Sequence, residues 1–544
     1  MTDLDNRALA DRLEAFAGLL ELAGSQPYAI RAYHRAADVI RGTPVPVAAL
    51  VRGGKARSLR GIGPGIDARL RELVETGDIE ELRELERTTS PQLVALGRLL
   101  GVGAKRMIDI GRELEVRTAD ELRTAAAEGQ LRRVSGIGAK TEEKLVEALA
   151  QLDRPRPARG LLLHRAWNLS DTIASALGGV VAGDPRRFKD SCERLAVVVK
   201  AGDPAPVLQA FESLPQIVAV LEREESRAVG LTVEGVPVEV AAAPATRFGT
   251  ALVRTTGSDE WVASLGPLPD TPDEDALFRA LGRPFVVPEL REVAAAEVPA
   301  EELVTVEQIR GELHCHTSWS DGKATVLEMA TAARDRGYEY LAICDHSPNV
   351  TVVPGLDADA LRRQAEEIAA ANEALAPFRV LRGIEADILA DGSLDVAEDV
   401  AAELDWVQIS LHAGQRLGRE ELTKRVMEAM QHPAARCVSH PTGRYIGRRP
   451  PNALDIERLL EVALETGVAV EVNGLPDRLD LRDEHVRLAI EAGVPIVCNT
   501  DAHSTTGLGN IGLSVATARR GGARPANVLN TRPLTDVLAA RRRA

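Results

Sequence analysis

The stretch GELHCHTSWSDG at residues 311–322 decides the fold of the C-terminal part of the chain. Side chains along a strand alternate between its two faces, so His314 and His316 are predicted on one face and Cys315 on the other. Short apolar runs further along, such as LAICD and VPIVCN, are typical of buried parallel strands, and each is followed by a helical pattern. This alternation predicts a β/α barrel, which carries its active site at the C-terminal ends of its strands.

Nine residues able to bind metal lie where these predicted strands end. They are His314, His316, Asp321, His346, Glu385, His412, His440, Asp501 and His503. Imidazole and carboxylate groups suit Mn, Zn and Fe alike, and a bridging carboxylate can hold two ions close together. A cluster of two or three divalent ions activates water and clamps the oxygens of a phosphoryl group. The pattern therefore predicts a metal-dependent hydrolase that acts on phosphoesters.

The motifs HxHTxxSDG, DH, GIE, SLH, SHP and DAH resemble those of the polymerase and histidinol phosphatase (PHP) domain over residues 308–544. The resemblance implies a distorted barrel of seven β/α units and three metal sites. The first would use His314, His316, Glu385 and Asp501; the second Glu385, His412 and His440; the third Asp321, His346 and His503. Arg444 and Asn473 would lie near the mouth, where they could contact phosphate, and no catalytic residue besides Arg444 is expected outside the metal cluster.

Composition limits the class of protein. A chain of 544 residues should form several domains, and its net charge of −15 argues against a broad basic surface for nucleic acid. The five cysteines show no C-x-x-C spacing, which favours a reducing compartment over a disulfide framework. No basic, apolar leader opens the sequence and no run of 18 apolar residues occurs, so we expect a cytoplasmic protein without a membrane partner.

Three glycine hairpins in the first 150 residues predict local DNA-binding sites. Each stands between an apolar segment and a helical pattern, and together they contain Gly61, Gly63, Gly65, Gly101, Gly103, Lys105, Gly136, Gly138 and Lys140. Two glycines allow a tight turn, and the free N–H groups at the next helix N-terminus can hold a phosphate. This is the helix-hairpin-helix pattern, which contacts the DNA backbone without reading sequence.

With this N-terminus the chain resembles bacterial family X DNA polymerases that carry a C-terminal PHP domain. The resemblance implies a multidomain α and α/β protein with a mixed α/β palm and thumb. The expected domains are a helical N-terminal domain at 1–88, fingers at 89–153, a palm at 154–245, a thumb at 246–298, a linker at 299–309 and the PHP domain at 310–544.

The palm segment departs from that family. The family pattern GSxRRGK…GDID aligns with GDPRRFKDSCERLA at residues 183–196, which places the two strand aspartates at Arg194 and Ala196 and the third carboxylate at Glu239. A guanidinium repels a cation, and a methyl group offers no ligand. Arg69 stands where the family's lyase lysine would be, and a guanidinium cannot form a Schiff base. The sequence therefore predicts that polymerase and lyase activities are lost.

These observations favour a DNA-repair protein that binds gapped or 3′-ended duplex DNA and processes it as a 3′-5′ exonuclease. Two alternatives stay open. One is a small-molecule phosphatase similar to histidinol phosphatases, and the other is a non-catalytic DNA-binding protein. Metal identity, protein partners and nucleotide binding by the palm are not determined by the sequence.

Overall fold

The computed structural model describes residues 27–42, 46–59, 61–83, 104–150, 160–293, 295–350, 353–415 and 417–540, with isolated positions between 6 and 20 and at 96 and 102. The chain forms two compact units. Unit 1 contains residues 1–158 and 203–242, and unit 2 contains residues 159–202 and 243–544. Among the described residues, no helix has the length and apolar character needed to cross a membrane.

The described residues up to position 150 form helices joined by turns. The helices are α1 Pro27–Gly42, α2 Val47–Arg52, α3 Pro64–Thr76, α4 Ala104–Leu114, α5 Ala119–Ala127 and α6 Ala139–Ala150. Their apolar side chains recur every three or four residues and bury one face of each helix. Helix α3 begins with Pro64, whose fixed φ suits the first turn, and ends at Gly77, which takes a left-handed conformation.

The middle of the chain alternates short strands and helices. In chain order these are β1 Leu161–Leu162, α7 Leu163–Leu177, β2 Gly179–Ala182, α8 Gly183–Arg186, β3 Ser191–Cys192, β4 Leu195–Lys200, α9 Pro204–Glu212, β5 Ile217–Arg223, β6 Arg227–Thr232, β7 Pro237–Ala243, α10 Phe248–Thr256, α11 Asp259–Ser264 and α12 Glu274–Ala280. Strands β2 and β4 pair antiparallel in unit 2. In unit 1, β6 pairs antiparallel with both β5 and β7.

The C-terminal region is a nearly closed barrel of seven parallel strands, as the sequence predicts. Its elements are β8 Gly311–Cys315, α13 Val326–Asp335, β9 Tyr340–Ile343, α14 Ala358–Leu375, β10 Arg379–Asp387, α15 Glu398–Ala401, β11 Trp406–Ser410, α16 Arg419–Met430, β12 Ala435–Val438, α17 Ile456–Thr466, β13 Ala469–Asn473, α18 Asp483–Glu491, β14 Ile496–Asn499, α19 Ile511–Arg520 and α20 Leu534–Ala539. The strands lie in sequence order, from β8 to β14.

The barrel strands bury both faces, which explains their continuous apolar runs. One face packs against the surrounding helices in a large apolar core. A bridge between Cys315 and Ala502 connects the end of β8 to the chain after β14. Because the strands are parallel, their C-terminal ends meet on one side of the barrel, and the predicted ligands meet there too.

Candidate metal centre

Glu385, near the end of β10, lies at the centre of the site. Its Oε1 atom lies 3.0 Å from His440 Nε2 and 3.5 Å from His412 Nε2. Its Oε2 atom lies 2.9 Å from His346 Nδ1 and 3.6 Å from His316 Nε2. The two carboxylate oxygens thus face different sets of imidazoles, an arrangement that suits a carboxylate bridging two ions.

His314 and His316 face the same side of β8, as the period of two predicts. Their Nε2 atoms lie 3.3 Å apart. Asp501 Oδ1, after β14, lies 3.1 Å from His316 Nε2 and 3.7 Å from His314 Nε2. Burial together with the charges of His503 and His346 lowers the pKa of His316 to about 4. His316 is therefore neutral at pH 7, which leaves a nitrogen lone pair available to a metal ion.

Asp321 lies at the outer edge of the cluster, on the loop after β8. Its Oδ2 atom lies 3.1 Å from His503 Nε2, and its Oδ1 atom lies 3.7 Å from His346 Nε2. Burial alone would raise the pKa of Asp321, but hydrogen bonding to His346 and His503 holds it far below its usual range. The carboxylate is ionised at neutral pH and can bind a cation.

Three overlapping groups of ligand atoms lie close enough together to hold an ion. Within each group all the atoms are within 4.8 Å of one another: His316, Asp321, His346 and His503; His314, His316 and Asp501; His346, Glu385 and His412. The resemblance assigned His316 and His346 to one site each, whereas the geometry puts each of them in two groups. All nine side chains converge on one end of the barrel.

Glu471, in the middle of β13, hydrogen-bonds to two of the candidate ligand residues, His314 and His440, and so orients them. His314 Nδ1 lies 2.7 Å from Glu471 Oε1, so a proton on Nδ1 leaves the Nε2 atom free for a metal. Glu471 Oε2 accepts a 2.7 Å hydrogen bond from the backbone N–H of His440. Sequence reasoning missed this residue, since the only signal was one acidic residue inside an apolar strand.

The polar atoms that lack partners fit a divalent metal. His316 Nδ1, His412 Nδ1 and Glu385 Oε2 are buried, and within the described part of the chain none of them has a partner in hydrogen-bond geometry. Buried polar atoms are normally satisfied, so unsatisfied atoms on three candidate ligands fit a site that binds metal. His440 and Asp501 also have φ values of 25° and 52°. Such strain costs about 1 kcal/mol or more per residue and clusters at functional sites.

Arg444 and Asn473, the two residues expected at the mouth of the barrel, are both engaged in hydrogen bonds within the protein. Arg444 is buried, and each of its guanidinium nitrogens already donates: Nε to Arg478 O, Nη1 to Asp190 Oδ2 and Nη2 to Leu479 O. Asn473 Nδ2 donates to Asp501 Oδ2 at 3.0 Å, so it orients a candidate ligand.

Arg478 is a cationic residue near the cluster that sequence reasoning did not single out. Its guanidinium lies 4.4 Å from the Tyr445 ring and donates to the Tyr445 hydroxyl at 2.8 Å. Burial would lower the pKa of Arg478, but the charges of Asp501 and Glu385 raise it overall. A cavity of about 390 Å³, lined by His412, Gly414, Gln415 and Leu417, opens beside the cluster.

Two of the three glycine hairpins lie within the described residues and share one backbone pattern. Ile62 N–H donates to Leu59 O, and Ile137 N–H donates to Val134 O. Both isoleucines are buried, and the glycines of the two hairpins are exposed or half-buried: Gly61, Gly63, Gly65, Gly136 and Gly138. Gly101, Gly103 and the side chains of Lys105 and Lys140 lie outside the described residues.

The palm positions contain ion pairs and an apolar group. Arg194 Nη1 pairs with Asp259 Oδ1 at 2.8 Å. Ala196 is buried in an apolar cluster with Leu252. In unit 1, Glu239 Oε1 lies 3.3 Å from Arg227 Nε.

The two arginines of the palm segment GDPRRFK and the arginine at the lyase position are also paired. Arg186 binds both carboxylate oxygens of Glu274, and Arg187 binds Asp184 and Glu292. Arg69 pairs with Glu72 and Glu81.

Comparison with known proteins places these features in a family. Residues 4–79 match a helix-hairpin-helix domain family, and residues 312–473 match the PHP domain family. The chain is 33% identical to the DNA polymerase/3′-5′ exonuclease PolX of Bacillus subtilis, over 97% of both chains. The chain belongs to the bacterial family X DNA polymerases that carry a C-terminal PHP domain.

Other relatives match the PHP region alone. A protein named probable phosphatase from Acetivibrio thermocellus is 32% identical over 35% of this chain and 78% of its own. Another, from Photobacterium profundum, is 29% identical over 36% of this chain and 79% of its own. The PHP domain of this family X relative is thus a metal-dependent phosphoesterase, and its helix-hairpin-helix region supports DNA binding.

Proposed function

We propose that the protein is a repair nuclease that removes nucleotides from DNA 3′ ends at the PHP centre. The observation that carries the proposal is the convergence of nine ligand-capable side chains, Glu385 among them, at one end of the barrel. The name of the B. subtilis relative includes both a polymerase and a 3′-5′ exonuclease. Within the described part of this chain, the PHP centre has a full set of candidate ligands, whereas Arg194 and Ala196 stand at two of the three palm carboxylate positions. The expected DNA substrate has a gap or a recessed 3′ end.

Two or three ions of Mn, Zn or Fe would be held by His314, His316, Asp321, His346, Glu385, His412, His440, Asp501 and His503. Bound divalent ions would activate water and offset the charge of the phosphodiester. Around them, Glu471 sets the tautomer of His314, and Asn473 fixes Asp501. Arg478 is suited to contact a phosphate oxygen, because its Nε atom has no partner among the described residues.

We propose that the glycine hairpins bind the DNA backbone and that the palm no longer supports polymerisation. Gly61, Gly63 and Gly65 precede helix α3, while Gly136 and Gly138 precede helix α6, and exposed helix N-termini attract phosphate. At the palm positions, Arg194 and Ala196 offer no carboxylate. Arg186 and Arg187 of the palm segment form ion pairs with Glu274 and Glu292, so tight nucleotide binding there is not expected.

The test compares three substrates with reconstituted enzyme: a 5′-labelled duplex with a recessed 3′ end, the same duplex ending in a 3′-phosphate, and histidinol phosphate. We expect stepwise shortening of the labelled strand, dependent on Mn²⁺ or Zn²⁺ and reduced by orders of magnitude in His412→Ala. Asp335→Asn, which alters an exposed ion pair with Arg334 on the same barrel, should act as wild type.

The alternatives give different results in the same assay. Faster turnover of histidinol phosphate with intact DNA would favour a small-molecule phosphatase; two relatives of the PHP region are named probable phosphatases. Metal-loaded protein that turns over none of the three would indicate a non-catalytic DNA-binding protein.

A further inference from the structure

A palm segment contacts the barrel beside the metal centre, within unit 2. Arg444, on the loop after β12, donates from Nη1 to Asp190 Oδ2 at 2.6 Å. The same guanidinium donates from Nε to Arg478 O at 2.8 Å and from Nη2 to Leu479 O. One arginine therefore joins the palm to the loop of residues 474–482, which follows β13.

The palm side of this contact is held rigidly. Asp190 Oδ1 accepts a hydrogen bond of 2.8 Å from the backbone N–H of Ser191, and Asp190 O accepts one from Leu163 N–H at 3.3 Å. Nearby, Phe188 has a φ of 56° and stacks on Trp167 of helix α7 at 5.2 Å. Asp190 thus approaches Arg444 from a fixed backbone rather than from a free loop.

The barrel loop is built from strained backbone that needs support. Leu479 has a φ of 43°, a conformation that costs a branched residue about 1 kcal/mol or more. The loop returns to β13 through Leu481 N–H, which donates to Glu471 O at 3.0 Å. It carries Arg478 and begins directly after Asn473, so its position sets two groups that surround the metal ligands.

A second contact holds the far end of the same loop. Arg520, at the end of α19, donates from Nη2 to Asp483 Oδ2 at 2.7 Å, and Asp483 begins helix α18 just after the loop. Arg520 Nη1 also donates to the palm carbonyl Arg187 O at 2.8 Å. The middle of residues 474–482 and the residue that follows them are therefore tied to the palm segment, through Arg444 and Arg520.

We propose that the palm segment positions the loop of residues 474–482 and that Asp190, acting through Arg444, is a positioning residue for the phosphoesterase site. The inference rests on the proposed nuclease function. Under this proposal the palm segment, which lacks the polymerase carboxylates, holds the loop that carries Arg478, and removing the segment would release that loop. Among the described residues, Asp190 contacts Arg444 and the backbone of Ser191 and Leu163, none of which is a candidate metal ligand.

The test uses full-length metal-loaded protein and the variants Asp190→Asn, Asp190→Ala and Arg444→Ala, with the Asp190→Ala/Arg444→Ala double variant. Asp259→Asn is the matched control, since Asp259 pairs with Arg194 in unit 2 away from the barrel loop. Three quantities are measured: kcat and KM for 3′-end hydrolysis, bound metal, and hydrogen–deuterium exchange of peptides covering residues 474–482.

We expect Asp190→Ala to lower kcat/KM by about tenfold to a hundredfold, as a small misplacement of a positioning group does. Bound metal should not change, exchange across 474–482 should rise, and Asp190→Asn should show a smaller effect. The double variant should lose no more activity than Arg444→Ala, because both single changes break the same link.

Normal exchange and control-level hydrolysis in both Asp190 variants would overturn the proposal, as would losses that add in the double variant. Loss of bound metal with normal exchange would also overturn it, since Asp190 would then act on the ligands. If wild-type protein hydrolyses no DNA, the proposed function fails, and the exchange measurement still decides whether Asp190 fixes the loop. The Asp190→Asn variant keeps the test valid if Asp190→Ala misfolds.

Discussion

Glu471 lies beneath the candidate ligands and hydrogen-bonds to His314 and to the backbone of His440. Every group around its carboxylate can donate a hydrogen bond, including His314 Nδ1, Asn499 Nδ2 and the backbone N–H of His440. Glu471→Gln would place an amide N–H₂ against these donors and disturb the His314 tautomer. We expect metal affinity to fall about tenfold to a hundredfold, measured by competition with a chelator.

Glu339→Gln is the control for this experiment, because Glu339 pairs with Arg310 on the surface of the same barrel. Its metal affinity should equal that of wild type. Unchanged affinity in Glu471→Gln would show that His314 needs no carboxylate to orient it.

Glu274 supports a buried cation, and its effect should depend on pH. It pairs with Arg291, whose side chain is fully buried, and with Arg186. Burial alone would raise the pKa of Glu274, but the two arginines lower it below the ordinary value of 4.5. A lowered folded-state pKa means that the stabilisation is complete above the unfolded-state value and is lost as pH falls through the folded-state value.

Glu274→Gln should therefore destabilise the protein at pH 7, by about 3 kcal/mol, because it leaves Arg291 buried without its partner. The difference in melting temperature from wild type should shrink steadily below about pH 4, where the wild-type carboxyl also becomes neutral. Asp270→Asn, which alters an exposed pair with Arg247, should show little change at either pH. A difference that stays constant from pH 7 to pH 3 would contradict the assigned ion pair.

The nine ligand candidates were accessible from the sequence because metal chemistry restricts residue types and the barrel restricts their position to strand ends. Glu471 and Arg478 were not. A lone glutamate in an apolar strand and a lone arginine in a loop carry no pattern, and their roles depend on which side chains the fold brings near them. Arg444 was singled out from the sequence, but its contact was not predictable, because its partner Asp190 lies 254 positions away in sequence.

At the level of single elements, the hairpin before α3 offers a test of DNA binding. Gly63 is the N-cap of α3 and has no capping side chain. Gly63→Asp should stabilise the helix, because aspartate is a preferred N-cap, yet its charge would repel a DNA phosphate at the same N–H groups. We expect weaker DNA binding by about 1 kcal/mol, roughly fivefold, with an unchanged or higher melting temperature.

The control is Gly202→Asp, because Gly202 is exposed and has open space around its Cβ position. It adds the same charge outside the hairpin segments and should leave affinity for a short duplex nearly unchanged. Fluorescence anisotropy at several salt concentrations gives both the affinity and its salt slope. Equal affinities for the two variants would remove this hairpin from the DNA-binding surface.

Helices and strands with a clear period were predictable from the sequence. The segment PYAIRAYHRAADVIRG is helix α1 from Pro27 to Gly42, the run LAICD overlaps β9, and the run VPIVCN contains β14. The strained turns at Phe188 and Leu479 were not predictable, because neither residue is typical of a left-handed backbone and only tertiary contacts hold them there.

For the whole molecule, the motifs predict a helix-hairpin-helix region before a PHP domain, and the family matches at residues 4–79 and 312–473 have that order. The proposed boundaries at 88, 153, 245, 298 and 309 stay predictions. The sequence could not show that residues 159–202 and the barrel form one compact unit, since that depends on long-range pairs such as Arg520 with the Arg187 carbonyl.

The central claim is that this family X relative shortens DNA 3′ ends at its PHP centre and does not extend them. The most direct measurement follows a 5′-labelled primer at a one-nucleotide gap, with all four nucleotides and Mn²⁺, using wild type and Asp501→Asn. We expect wild type to shorten the primer and Asp501→Asn to leave it unchanged, because Arg194 and Ala196 cannot bind the cations that polymerisation requires. Templated extension by Asp501→Asn, or an intact primer with metal-loaded wild type, would contradict the account.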